Sequence, residues 1–284
     1  MTKIDWAKLK TAKPKTEPLF AIIFGSSGAG KSTALGTSGL STLLLHGPTE
    51  NHAGTNARLF GRDKVFSLEY TVRNDKGAVD ADASFKNLLA ILKDEEISKQ
   101  FEAVALDSWT ELQTIIGETR EFREACLTDK GKHNKFAESD EYTRRLNQVV
   151  HALLSLHSKG LHILTTCAAL IKDSDAEGSD VSAKPNLKGW SVGEDLVRNF
   201  PDVLYVQLVR VTNDKGDEVS KHKLLFNPKV SAEAKDIAGR VTKVSFSNFA
   251  PRISHFKRED LPHDTDVDLA KIIKSRSKRN ESST

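Results

Sequence analysis

Cysteine is scarce, with only Cys126 and Cys167 in 284 residues. Two thiols exclude the disulfide framework of a small secreted domain, and no His/Cys grouping has zinc-finger or H-E-x-x-H spacing. Both are expected to be buried free thiols. No apolar run approaches the roughly eighteen residues that a membrane helix needs. The lysine-rich start also lacks the apolar centre of a signal peptide. These absences lead to the expectation of a soluble, cytoplasmic protein with no membrane partner. There is no internal repeat, no heptad run, no N-K-x-D guanine signature and no Arg-rich segment of the kind that lids a small-molecule kinase.

An apolar content of 38% suffices for a sizeable core, and the length suits one large domain or two small ones. The formal charge of +3 is unevenly spread. Residues 1–20 carry five Lys against Asp5 and Glu17, and residues 271–284 carry five Lys/Arg against Glu281, so the middle is mildly acidic. Basic ends of this kind suit either tails that touch nucleic acid phosphates or solvated tails that keep the chain in solution.

Between the ends, apolar runs alternate with helical patterns, which predicts an α/β fold with a mostly parallel central sheet flanked by helices. Buried strands are expected at 19–24, 42–46, 103–106 and 161–167, with a shorter one at 65–70. Phe85, Leu88, Leu89 and Leu92 recur at helical spacing and predict a helix over 82–97. A second helix is expected from Leu112 towards Cys126. Ser139 has the chemistry to cap a long helix whose buried stripe is Tyr142, Leu146, Val149, Leu153 and Leu156, with Gly160 as its stop. The polar stretches 128–135 and 172–188 read as surface loops. Two β-rich runs, 203–211 and 221–226, flank the hairpin turn Asn213–Gly216. A further strand is expected at 241–246, and disorder beyond Lys274.

The run Gly25-Ser26-Ser27-Gly28-Ala29-Gly30-Lys31-Ser32-Thr33 is a complete G-x-x-x-x-G-K-S phosphate-binding loop, placed between a predicted strand and a predicted helix. Its glycines permit unusual backbone angles and close phosphate approach. The helix start directs unpaired N–H groups at a polyanion. Lys31 is expected on the β- and γ-phosphates of ATP and the Ser32 hydroxyl on Mg²⁺. Asp107, ending an apolar strand, has the form of a Walker B carboxylate that holds the metal, against the plainer reading of a helix cap. Glu50, in Pro48-Thr49-Glu50-Asn51-His52 just past the second strand, is the candidate to polarise the attacking water, with Glu69 and Glu111 next in line. A plain surface carboxylate is the alternative for Glu50.

The order of these motifs resembles the RecA-like P-loop ATPases, especially the small phage proteins of that family that act in single-strand annealing. The likeness covers residues 18–230 and is strongest at the phosphate loop. It implies a basic N-terminal arm at 1–17, a RecA-like ATPase core at 18–250 and a C-terminal segment at 251–284 with a basic, disordered tail. It implies ATP hydrolysis, binding of single-stranded DNA, assembly into a ring or filament of identical subunits, and cooperation with a phage single-strand-binding protein. By position, residues 128–138 match the family's first DNA loop and 172–190 the second. Lys130, Lys132, Lys135 and Phe136 in the first, and Lys184, Lys188 and Trp190 in the second, combine cations with aromatic rings as single-strand sites do. The strands ending at Lys221–Phe226 are similar to those that carry cations to a neighbour's nucleotide.

Two departures narrow the reading. Thr165-Thr166-Cys167 stands where RecA proteins have a Gln that senses the γ-phosphate. Only some eighteen residues, with Trp6 among them, precede the first strand where RecA has a polymerisation domain. Both point to an annealing or accessory ATPase rather than a strand-exchange recombinase. A nucleotide-dependent switch or loader acting on a protein, or a small-molecule P-loop kinase, are the rival readings.

Overall fold

A computed structural model describes residues 18–50, 52–128, 130–172, 182–189, 191–212, 218–225, 235–236 and 255–257. The chain runs through β1 (Phe20–Gly25), α1 (Lys31–Gly36), β2 (Thr42–His46), α2 (Ala53–Gly61), β3 (Val65–Glu69) and a small hairpin of β4 (Val72–Arg73) and β5 (Val79–Asp80). It continues with α3 (Ala81–Lys93), α4 (Ile97–Gln100), β6 (Ala103–Asp107), α5 (Trp109–Glu118), α6 (Arg120–Ala125) and α7 (Lys135–Ser158). Then come β7 (His162–Lys172), β8 (Ser182–Pro185), α8 (Val192–Arg198), β9 (Asp202–Thr212), β10 (Glu218–Leu225), β11 (Lys235–Asp236) and β12 (His255–Lys257).

One mixed sheet has the order β12-β10-β9-β1-β7-β6-β2-β3. From β3 to β9 every neighbour is parallel, and β10 turns back against β9. The expected α/β architecture, with a mostly parallel central sheet between helices, is therefore the one observed. Because successive side chains of a strand face opposite ways, the apolar runs feed two cores. Phe20, Ile22, Phe24, Leu43, Leu45, Val104 and Leu106 face the helices α3 and α5 to α8. Ala21, Ile23, Leu44, Ala105 and Leu164 face α1 and α2. The first core is the larger. In it Phe20 stacks on Phe200 at 4.8 Å and Trp109 meets Phe200 edge-on at 6.1 Å, contacts worth about 0.5–1.5 kcal/mol each beyond simple burial. Among the described residues no helix is long and apolar enough to cross a membrane.

Several boundaries differ from the sequence expectation. The helix predicted over 82–97 ends at Lys93, where Asp94 turns extended and a separate short helix, α4, follows. The helix towards Cys126 breaks at Thr119, whose side chain caps α6 by accepting from the Phe122 N–H. The long helix α7 begins at Lys135, not after Ser139. Asn134 wins the cap because its side chain accepts from the N–H groups of both Phe136 and Ala137. The predicted stripe is buried throughout, and Gly160 follows with φ of +97°. The stretch 172–188 is in part regular: β7 runs on to Lys172 and β8 pairs back on it, Leu170 opposite Lys184. The helix α8 was not anticipated. Residues 1–17 with Trp6, the turn Asn213–Gly216, Trp190, the strand at 241–246 and the tail beyond Lys274 lie outside the described residues.

Candidate functional site

Parallel strands end on one side of the sheet, and that edge is where an open α/β fold collects ligands. Here β1 ends at Gly25, β2 at His46 and β6 at Asp107, with His46 opposite Asp107 in register. Gly25 lies between Ala168 of β7 and Val206 of β9. A Cβ on Gly25 would come within 2.4 Å of the Val206 carbonyl oxygen, so the loop leaves the sheet through a gap that only glycine fits. Gly28 and Gly30 have φ of +72° and +95°, in the left-handed region that side chains avoid. The loop then enters α1, whose first N–H groups have no intrahelical acceptor.

Lys31 folds its Nζ back over this loop, donating to the carbonyls of Gly25 at 3.1 Å and Ser26 at 3.0 Å. Burial pulls its ammonium below the ordinary value, while Asp107 and Glu50 oppose the pull. Ser32 donates its hydroxyl to Oδ2 of Asp107 at 2.5 Å. The other oxygen, Oδ1, accepts from the Thr166 hydroxyl. Asp107 is 1% exposed, so both of its oxygens are held by neighbours rather than by water. The Asp107–Ser108 peptide is cis.

The Pro48–Glu50 turn lines the same cleft. Ser108, the cap of α5, donates to Glu50 Oε1 at 3.4 Å and accepts from the Glu111 N–H at 3.3 Å. Burial pushes the Glu50 carboxyl up, and Asp107 and Glu111 push it further, against Lys31 and Ser108. Glu111 accepts at Oε1 from both the N–H and the hydroxyl of Thr49, each at 2.5 Å. Of the other candidate bases, Glu69 is engaged by Thr71 and by Arg73 on the exposed side of the β4–β5 hairpin. Three buried polar atoms have no hydrogen-bond partner among the described residues: Glu111 Oε2, Tyr70 Oη and Trp109 Nε1.

These groups line a cleft of about 1050 Å³ that runs from Ser27, Gly28 and Lys31 past Glu50 and Asp107 to Val79 and Arg123. A smaller groove of about 390 Å³ shares Thr114, Glu118 and Arg123 with it and ends between Leu127, His133 and Lys188. The two segments assigned to nucleic acid from sequence thus meet at one groove through His133, Glu138 and Lys188, and of the described residues named for nucleic acid only Lys188 lines it. Lys130 and Lys132 are exposed on the turn closed by the Thr128 N–H to Lys132 carbonyl bond. Lys135 and Phe136 stand on the first turn of α7 instead of a loop, and Phe136 is 83% exposed. Lys188 is fixed by its backbone, which exchanges two bonds with the Gln113 amide. Lys184 is turned to Glu194 of α8 at 3.9 Å and does not line the groove.

Sequence reasoning did not find Thr166 or assign Glu111 its contacts. The signal for Thr166 was available, since a polar pair inside a buried strand must satisfy two hydroxyls. Thr165 does so on the Ala21 carbonyl and Thr166 on Asp107. Both cysteines are buried thiols outside any disulfide, as expected. No group of three or more His, Cys, Asp or Glu is placed to hold a metal ion among the described residues. No protein-family model matches the chain, and no curated protein matches it.

Proposed function

We propose that the protein is a RecA-like P-loop ATPase that binds single-stranded DNA and assists annealing. The observation that carries this reading is the Ser32–Asp107 bond, which brings the end of the glycine-rich loop to the end of β6 across 75 residues of chain. The loop N–H groups and Lys31 would hold the phosphates. Ser32 Oγ and Asp107 Oδ2 are hard oxygen donors of the kind Mg²⁺ takes, and such an ion uses few protein ligands beside phosphate oxygens. When bound, it would neutralise charge on the phosphates. Glu50 would orient and deprotonate the attacking water, and its raised carboxyl lies nearer the operating pH, where a general base works best. The remaining catalysis is positioning and electrostatics in a cleft lined by the Pro48–Glu50 turn.

DNA binding is supported by the groove joined to the cleft, lined by Lys188 on one side and by Leu127 and His133, which flank the exposed Lys130–Lys132 turn, on the other. Phosphate release measured with and without single-stranded oligonucleotide tests the proposal. Stimulated turnover is the expected result. Turnover indifferent to DNA favours the switch or loader acting on a protein, and absence of nucleotide binding removes the reading.

A further inference from the structure

The first turn of α5 grips two successive residues of the Pro48–Glu50 turn. Ser108 donates to Glu50, and Glu111 accepts twice from Thr49. Glu111 is 8% exposed, and its carboxyl lies flat against the Gly47 backbone. A Cβ on Gly47 would come within 2.4 Å of both Oε2 and the carboxyl carbon. Oε2 therefore has no hydrogen-bond partner, an arrangement that costs free energy and calls for a reason. Oε1 already accepts twice from Thr49, and Oε2 is shut away from solvent beside Gly47.

We infer that Glu111 is a positioning residue that clamps the Pro48–Glu50 turn at the wall of the cleft and thereby sets the place of the Glu50 carboxylate. This rests on the reading of Glu50 as the water-orienting base. The clamp explains why position 47 is glycine although it is followed by Pro48: the close approach of a carboxyl group, not backbone conformation, demands it. The charge of Glu111 also adds to the upward push on the Glu50 carboxyl.

The test compares ATP turnover, KM and nucleotide affinity for Glu111→Ala, Glu111→Gln, Gly47→Ala, Glu50→Gln and Lys31→Ala in the full chain. Misplacing a reacting group by about 1 Å costs on the order of 10²-fold, so Glu111→Ala should lose about that much kcat with KM changed less than about threefold. Glu111→Gln keeps an acceptor for Thr49 and should recover at least about tenfold of the loss. Gly47→Ala should mimic Glu111→Ala, because the flexible end of Glu111 gives way to the new methyl and releases Thr49. That variant leaves the core intact and decides the matter if Glu111→Ala does not fold. On the Glu50→Gln background, Glu111→Ala should add less than about twofold, since it acts through Glu50. Wild-type kcat in Gly47→Ala, or losses that multiply in the double variant, would overturn the inference. Wild-type turnover in Lys31→Ala would instead remove the ATPase reading beneath it.

Discussion

Ser32 donates its hydroxyl proton to Oδ2 of Asp107 across 2.5 Å, while Thr166 donates to the other oxygen of the same carboxylate. Asp107 is thus held from two sides, by α1 and by β7. If Ser32 and Asp107 hold a cation on the phosphates, Asp107→Asn and Ser32→Ala should each lower Mg²⁺-dependent turnover by about 10²-fold or more. Lys31→Ala should abolish it. Circular dichroism on the same samples should show the fold retained for Lys31→Ala, since that side chain bonds only to loop carbonyls. A magnesium titration of turnover separates loss of the ion from loss of the nucleotide.

Glu50→Gln should keep ATP binding and lose about 10²–10⁴-fold in turnover, the range of general acid–base catalysis. The same substitution has a signature in stability. The Glu50 carboxyl is raised above its ordinary 4.5 by burial first, then by Asp107 and Glu111. Above 4.5, the folded chain holds more of this proton than the unfolded chain does, so stability falls as pH rises through the raised value. Glutamine has no proton to lose. Thermal melts from about pH 4 to pH 8 should therefore show the advantage of Glu50→Gln over wild type growing with pH. A constant difference would mean that Glu50 ionises as freely folded as unfolded.

The loop glycines should separate by mechanism. Gly25→Ala drives a methyl into the Val206 carbonyl, which is backbone and cannot swing aside, and should destabilise by about 1–3 kcal/mol or more. Gly28→Ala meets open space and pays only the left-handed strain of about 1–2 kcal/mol. Chemical denaturation should rank Gly25→Ala as the less stable. Nucleotide affinity should fall in both.

Replacing Lys130, Lys132 and Lys135 together by Ala should weaken single-strand binding for all sequences alike and flatten its dependence on salt, because fewer counterions are released. Phe136→Ala should remove about 1–3 kcal/mol if the exposed ring stacks on a base. Lys184→Ala should matter less, since Lys184 is paired with Glu194. Oligonucleotide titrations at several salt concentrations check all three. Lys188→Ala, the substitution of a lysine that lines the groove, should weaken binding, and binding unchanged by it would detach the single strand from the groove.

The buried strands were legible because each centres on a short, mostly apolar run of strand length, and the loop between β1 and α1 because its glycines and Lys31 sit at fixed spacing. Where two polar residues of equal local merit competed, the sequence was ambiguous. Asn134 and Ser139 are both good caps, and the choice was made by the turn through Leu127 and His133, whose bridge sets where α7 starts. Thr119 looked like one more helical position, yet its hydroxyl ends α5 by bonding the Ile116 carbonyl. The short helix α8 carries only Val192, Leu196 and Val197 as buried residues, too few for a period to stand out. Glu111 read as one of several carboxylates near the sheet edge. Only its two bonds to Thr49, 62 residues away, set it apart.

The strand order has a consequence for how the protein is made. Of the described strands β1 leaves the ribosome first, but its two neighbours, β7 and β9, are built from residues 162–172 and 202–212. Until those are synthesised, the strand that launches the glycine-rich loop has both edges bare. A nascent chain halted before residue 202 leaves Gly25 without Val206 beside it, so the loop acquires its seat only late in translation. Pairings of such long sequence separation fold slowly and leave an apolar strand exposed meanwhile. Shortened forms that keep every loop residue but stop before β9 should therefore be aggregation-prone.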